Sequence, residues 1–242
     1  MSLTPELFQQ ALEKAGLTGS IPIEALPALT RFSLKMLDLN QSLNLTRWIQ
    51  PESFLTHHLL DSAFALPVLK PLVQGPQKWM DLGSGCGFPG AVLIAAFPEV
   101  EVTLMDSVAK KTQALAQCLD EAGWFSKTLT GRAEEWGRDP RTRGLWDGLT
   151  ARAVADFPVV LEYGIPLLKT GGYLVDWMTG DQWSKVDKAQ KALDLLESRI
   201  IQKVEYSLPG LDQSRFIVIV EKMGITSDTY PRPVGRPSKK PL

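Results

Sequence analysis

Between Lys78 and Phe97 the chain passes from a short apolar strand pattern, KWMDL, through a turn carrying Gly83, Gly85 and Gly87, into an apolar helix pattern, PGAVLIAAF. No other stretch narrows the possible folds as far. Glycine accepts positive φ and leaves space where a side chain would block a ligand. The helix that follows aims its free N–H groups back at the turn. The alternation continues downstream: EVEVTLMD reads as a strand, with Val100, Val102 and Leu104 on one face, and VAKKTQALAQCLDEAG as a helix stopped by Gly123. TLTGRAE carries a third strand and LWDGLTARAV a fourth. FPVVLEYGIPLLKTGG reads as a helix, YLVDWM as a strand, WSKVDKAQKALDLLES as a helix and RFIVIVEK as the last strand. Strands separated by such helices pair in parallel and need cover on both faces. The expected fold class is α/β, a doubly wound, mostly parallel sheet.

Upstream the period is helical throughout. Residues 5–16 read as one helix, residues 26–45 as a second whose Leu29, Phe32, Leu34, Met36, Leu37 and Leu39 include the steps of a buried face, and PESFLTHHLLDSAFAL as a third. Residues 1–77 are thus expected to form an N-terminal helical appendage and residues 78–222 the sheet domain. Residues 223–242 form a Pro/basic tail, whose last 14 positions hold four prolines, four basic residues and no acid. Such a tail is expected to stay outside the packed core as an extended arm.

Composition mainly excludes. A formal net charge of −1 gives no global field for nucleic acid, so any such contact must be local. Two cysteines and two adjacent histidines show no metal-ligand spacing, so no metal is expected. No apolar run is long enough for a membrane span, and the first residues lack a signal-peptide pattern, which points to the cytoplasm and to no membrane partner.

The glycine turn admits two nucleotide readings. Gly85, Gly87 and Gly90 satisfy the dinucleotide fingerprint. Against a pyrophosphate stands Asp81 at the strand end, whose charge suits the amino-acid moiety of a methyl donor better. Asp106, with Ser107 after it, closes the second strand, from which a carboxylate accepts both ribose hydroxyls, and this holds for either cofactor. The balance favours S-adenosylmethionine, with a NAD-linked oxidoreductase as the alternative.

The stretch WMDLGSGCGFPGAVLIAAFPEVEVTLMDSVAKK resembles the core of the bacterial small-subunit (16S) ribosomal RNA guanine-N7 methyltransferases, the glucose-inhibited division protein B (RsmG) family. LNLTRWIQPESFLTHHLLDS, GRAEE, ARAVA and YPRPVGRPSKKPL are similar to further family segments, so the resemblance covers nearly the whole chain. It implies a Rossmann-like S-adenosylmethionine-dependent methyltransferase acting on N7 of a guanine, with ribosomal RNA or a small-subunit assembly particle as partner. It also implies cofactor contacts at Phe88, Ala133, Glu134 and Arg152, beside Asp81, Gly83, Gly85, Gly87, Asp106 and Ser107. Purine N7 carries a lone pair and no proton, so the reaction needs no general base. No catalytic residue stands out; Arg152, His57 and Asp61 are the positioning candidates, the latter two sharing a helix face at i, i+4. One departure is visible: the family commonly has Leu-Lys-Gly after the fifth strand, where this chain reads DWMTG, residues 176–180. Lys185 or another basic residue is expected to stand in. Arg132, Arg138, Arg141 and Arg143, near two tryptophans, and the basic tail are candidate phosphate contacts. A methyltransferase for a small molecule or protein, and a non-enzymatic RNA-binding module, remain open at this level.

Overall fold

The computed structural model describes residues 2–180 and 183–242. Among these, seven strands form one sheet: β1 Gln77–Leu82, β2 Val100–Asp106, β3 Lys127–Thr130, β4 Trp146–Arg152, β5 Leu168–Thr179, β6 Ser198–Tyr206 and β7 Arg215–Lys222. Their order is β3-β2-β1-β4-β5-β7-β6. The first five run parallel, and β7 is inserted antiparallel between β5 and β6. The chain winds outward from β1 through β2 to β3, then returns to β4 on the other side of β1. That reversal opens a crevice at the carboxyl ends of β1 and β4.

The N-terminal helices are part of the sheet's cover. Helices α1 (Pro5–Lys14) and α2 (Leu26–Leu43) lead into α3 (Pro51–Phe54), a π-helical stretch Leu55–Leu60, α4 (Asp61–Ala63) and α5 (Leu66–Leu69). Leu29, Phe32 and Met36 of α2 join one buried cluster with Trp79, Val102, Leu104 and Leu115. The same cluster takes in α6 (Gly90–Ala96) and α7 (Ala109–Ala122). The opposite face packs α9 (Phe157–Gly164), α10 (Trp183–Asp187) and α11 (Gln190–Leu195) over Leu149, Leu174, Val218 and Val220. The short α8 (Ala133–Trp136) follows β3.

Three expectations need correction. Strand β6 is absent from the sequence reading, because a register shift between Ile200 and Gln202 breaks the alternation that would mark it. The helix expected from residue 157 ends at Gly164; Pro166 sits in a single 3-10 turn, after which β5 begins. The tail is packed, not a free arm. Pro231 and Pro237 are buried, a short helix α12 (Arg236–Lys239) forms, and Arg143 donates to the carbonyls of Thr226, Ser227 and Tyr230 while Arg138 donates to those of Thr229 and Pro231.

Candidate active site

The glycine turn is shaped by close contacts. Gly83, Gly85 and Gly87 have φ of +70°, +56° and +92°. A Cβ on Gly87 would stand 2.5 Å from the Phe32 ring, so here the helical cover and the turn dictate each other. Gly87 is fitted closely against α2 and α7.

Two cavities open at the carboxyl ends of the strands. The first, about 370 Å³, lies beyond β2 and β3 and is lined by Gly83, Asp106, Ser107, Ala133, Glu134, Tyr163 and Ser238, among others. The second, about 390 Å³, includes Gly85, Phe88, His57, Asp61, Arg152 and Arg215. They share Gly83, Lys111 and Ala153, so they meet beside the glycine turn. Ala153 holds φ +56°, a conformation costly for a non-glycine residue, at that junction. Larger hollows of 590 and 550 Å³ lie elsewhere. The first of these sits at the opposite end of β2, and neither is at the crevice where ligands of such sheets bind.

In the first cavity the Asp106 carboxylate accepts N–H bonds from Gly85 (3.0 Å) and Val108 (2.9 Å). Each oxygen thus accepts one N–H and can accept a further donor, as a diol would offer, with the Lys111 ammonium 3.9 Å from Oδ2. Glu134 is 1% exposed, and its Oε1 accepts the Gly235 N–H of the tail at 2.9 Å. Its Oε2 has no hydrogen-bond partner among the described residues, although the Arg132 Nε stands 3.6 Å away as an ion pair. A buried carboxylate oxygen without a donor is costly, and an amino or hydroxyl group of a ligand would satisfy it. The cavity's size falls in the range of small-ligand sites. These features fit a nucleoside cofactor.

Asp81 corrects the sequence reading. Its carboxylate accepts from Thr150 Oγ1 (2.8 Å) and from Gly90 N–H (3.2 Å), ties β1 to β4 and α6, and lines neither cavity. Burial raises its pKa above the usual carboxylate range. The reason is register: Asp81 pairs with Leu104, so it lies deeper in the sheet than Asp106.

The second cavity is built around Asp61. Arg152 and Arg215 reach its Oδ2 at 3.0 and 3.2 Å, and the Tyr206 hydroxyl donates to Oδ1 at 2.6 Å. Arg152 also donates to the His57 carbonyl at 2.8 Å, and its other terminal nitrogen lies 3.3 Å from His58 Nδ1. Because a guanidinium only donates, His58 Nδ1 is the acceptor and its Nε2–H faces Thr46 Oγ1 at 2.8 Å. Burial, then Arg152 and His57, pull the His58 pKa down to about 3, so the ring is neutral at physiological pH. Cys86 is a buried thiol whose pKa burial raises, which leaves it no nucleophilic role at neutral pH. The lining carries Arg47, Lys111, Arg152 and Arg215 against Asp61 alone. Four cations and one carboxylate suit an acceptor that brings phosphate.

The sequence-named residues therefore divide. Gly83, Asp106, Ser107, Ala133 and Glu134 line the first cavity; Gly83, Gly85, Phe88, His57, Asp61 and Arg152 line the second; Asp81 and Gly87 line neither. Sequence reasoning missed Arg215, Trp48, Tyr163 and Ser238. For Arg215 the only signal is a cation opening the apolar run Phe216 to Val220. Lys185, the expected substitute after β5, pairs instead with Asp156 at 2.6 Å. The basic residue that reaches the cavity from this edge is Arg215, opposite Thr179 in the β5–β7 register. The arginines near Trp136 are also spoken for: Arg138 and Arg143 hold the tail, and Arg141 pairs with Asp139.

Among solved structures, the chain resembles a ribosomal protein L11 methylase from Lactobacillus delbrueckii subsp. bulgaricus, with TM-score 0.52 and 15% identity, covering 69% of this chain and 81% of that one. It also resembles a SAM-dependent methyltransferase from Aquifex aeolicus, with TM-score 0.51 and 15% identity, covering 65% and 88%. At such identity the likeness speaks for the fold. In sequence, the chain is 38% identical to the ribosomal RNA small subunit methyltransferase G of Desulfitobacterium hafniense (strain Y51) over 88% of this chain and 89% of the relative. It is likewise 38% identical to that of Streptococcus pyogenes serotype M2 over 99% and 100%. The pattern of the family described as rRNA small subunit methyltransferase G matches residues 25–208. A match over most of the chain, joined to full-length relatives at this identity, places the protein in the rRNA small subunit methyltransferase G family.

Proposed function

We propose that this chain transfers the methyl group of S-adenosylmethionine to N7 of an unpaired guanine in small-subunit ribosomal RNA. As a member of its family the protein is an S-adenosylmethionine-dependent methyltransferase. The observation that carries the acceptor reading is the meeting of a nucleoside-shaped cavity with a cation-rich one at Gly83, Lys111 and Ala153. When bound, the cofactor supplies an electrophilic methyl on its sulfonium. Asp106 would hold the ribose diol, and Ala133 with Glu134 the adenine. Arg152, fixed by Asp61 and the His57 carbonyl, would border the reacting atoms. Guanine N7 offers its lone pair without losing a proton, so the site needs alignment and exclusion of water more than a base. The titratable groups agree: His58 is locked as a neutral donor to Thr46, and Cys86 is kept protonated. A base inside a helix would be out of reach, so the target is unpaired or turned out.

Two further readings belong with this one. The partner is ribosomal RNA, free or in an assembly particle, and the compartment is the cytoplasm, where that substrate is made. Among the described residues no helix is long and apolar enough to cross a membrane, and no group of side chains is arranged to hold a metal. The test is transfer of labelled methyl from S-adenosylmethionine to purified small-subunit RNA and, separately, to small-subunit particles, followed by strand cleavage at N7-methylated guanine. Label on one guanine of either substrate is the expected result. Label on protein or a small molecule alone would overturn the proposal.

A further inference from the structure

At the mouth of the second cavity three side chains are stacked. The His57 imidazole lies 3.6 Å from the Trp48 ring, centroid to centroid, at an interplanar angle of 12°. The Arg47 guanidinium carbon lies over the same indole, 4.5 Å from its centroid. The loop that presents them is rigidly held. Asn44, at φ +51°, closes α2 in the left-handed conformation. The Asn40 side chain then bonds both backbone groups of Thr46, at 2.8 and 3.0 Å, and Thr46 Oγ1 accepts the Trp48 N–H at 3.1 Å. The indole is thus set in place before any ligand arrives. Arg47 is different: it is exposed and makes no hydrogen bond or ion pair among the described residues.

We propose that Trp48, backed by His57, is a stacking platform for a nucleobase of the RNA acceptor, and that Arg47 occupies the platform in the free protein. The inference rests on the RNA reading above and names the subsite where the acceptor is gripped. Unpaired RNA is held by splaying bases onto aromatic or guanidinium planes. An exposed guanidinium over a half-buried indole contributes less than a stacked base does, so exchange of Arg47 for a base is favourable. The displaced guanidinium is then free to pair with a phosphate. Arg152, Arg215 and Lys111 line the same cavity, so a strand laid over Trp48 would meet cations along its backbone.

The experiment compares Trp48→Ala, Trp48→Leu and Trp48→Phe with the unsubstituted chain, in methyl transfer to small-subunit RNA and in S-adenosylmethionine binding by calorimetry. Trp48→Ala and Trp48→Leu are expected to raise KM for RNA roughly tenfold, within the range of one base–aromatic stack. Trp48→Phe should recover most of that loss, and all three should bind cofactor as the parent does. Abasic substitutions at the target's neighbours sharpen the assignment: at the base seated on Trp48, the Trp48→Ala penalty should vanish. An unchanged KM for Trp48→Ala, or recovery by leucine equal to that by phenylalanine, would overturn the platform and leave the methyltransferase reading standing. Absence of RNA methylation by the unsubstituted chain would overturn both.

Discussion

Asp61 and Glu162 are both carboxylates with almost no exposure, 2% and 0%, and both are clamped by arginine, yet they do opposite work. Asp61 gathers Arg152 from the end of β4, Arg215 from the start of β7 and Tyr206 from the end of β6. All three come from the framework and cannot leave. Glu162, on α9, takes Arg232 of the tail through its backbone N–H (2.8 Å), Nε (2.8 Å) and a terminal nitrogen (2.6 Å). Its partner belongs to the packed tail and also donates to the Lys240 carbonyl at 2.9 Å. Burial makes each pair costly to break by halves, but the reach of the partner decides what breaking it does. Around Asp61 the loss strands fixed charges in the acceptor cavity. Around Glu162 it frees a segment that touches the cofactor cavity through Gly235 and Ser238.

The largest expected effect is therefore at Asp61. Asp61→Ala leaves Arg152 and Arg215 without a counter-charge and should cost about 3–5 kcal/mol in urea unfolding. Methyl transfer should fall far more than cofactor affinity. A loss under 1 kcal/mol would show that solvent in the cavity already neutralises the arginines. Glu162→Gln should cost less, about 2 kcal/mol, because glutamine keeps an oxygen acceptor for Arg232, which also donates to the Lys240 carbonyl. It should weaken cofactor binding and leave transfer at saturating cofactor near normal. Equal costs at the two sites would erase the distinction drawn between them.

Protonation probes the Asp61 side alone. His58 is held neutral down to about pH 3 in the fold but takes a proton near 6.5 once unfolded. The unfolded chain thus binds the extra proton as pH falls from 6.5 toward 3, and stability is lost across that window, with none lost above it. Between pH 7.5 and 5 the drop should be about 2 kcal/mol more for the parent than for His58→Gln, which carries no titratable ring. Parallel pH curves for the two proteins would show that His58 is protonated in the folded state. The smallest effect on cofactor binding is at the tail. Ending the chain after Asp228 strips the buried Glu162 of Arg232, so stability should fall at least as far as in Glu162→Gln; with the Gly235–Glu134 bond and Ser238 also gone from the cavity wall, S-adenosylmethionine should weaken about fivefold, the equivalent of roughly one hydrogen bond. The sequence reading expects no change in cofactor binding, so calorimetry on the truncated chain decides between them.

Legibility followed distance along the chain. The strand, glycine turn and helix from Lys78 to Phe97, and Asp106 at the end of β2, could be read directly, because period and turn chemistry are local. Ala133, Glu134 and Arg152 were reached only through family resemblance; nothing in their neighbourhood marks them as facing a ligand. Asp81 was misread because its level in the sheet depends on pairing with Leu104. The tail was misread because prolines and cations give no local reason to pack. Its anchors, Arg138, Arg143 and Glu162, lie between 70 and 93 positions from the residues they hold, where no short pattern connects them.

The sequence by itself determined the α/β architecture, the glycine turn between β1 and α6 and the family, since each is written in short stretches whose spacing is their physics. Only the tertiary structure decided which acids line a cavity and which are ties, that the tail docks through Arg232 on Glu162 and the Gly235 N–H on Glu134, and that Asp61 meets Arg215 across 154 positions. Those are electrostatic pairings between distant elements. They exist only once hydrophobic burial has brought the elements together, and the low-dielectric interior then makes each such pairing obligatory.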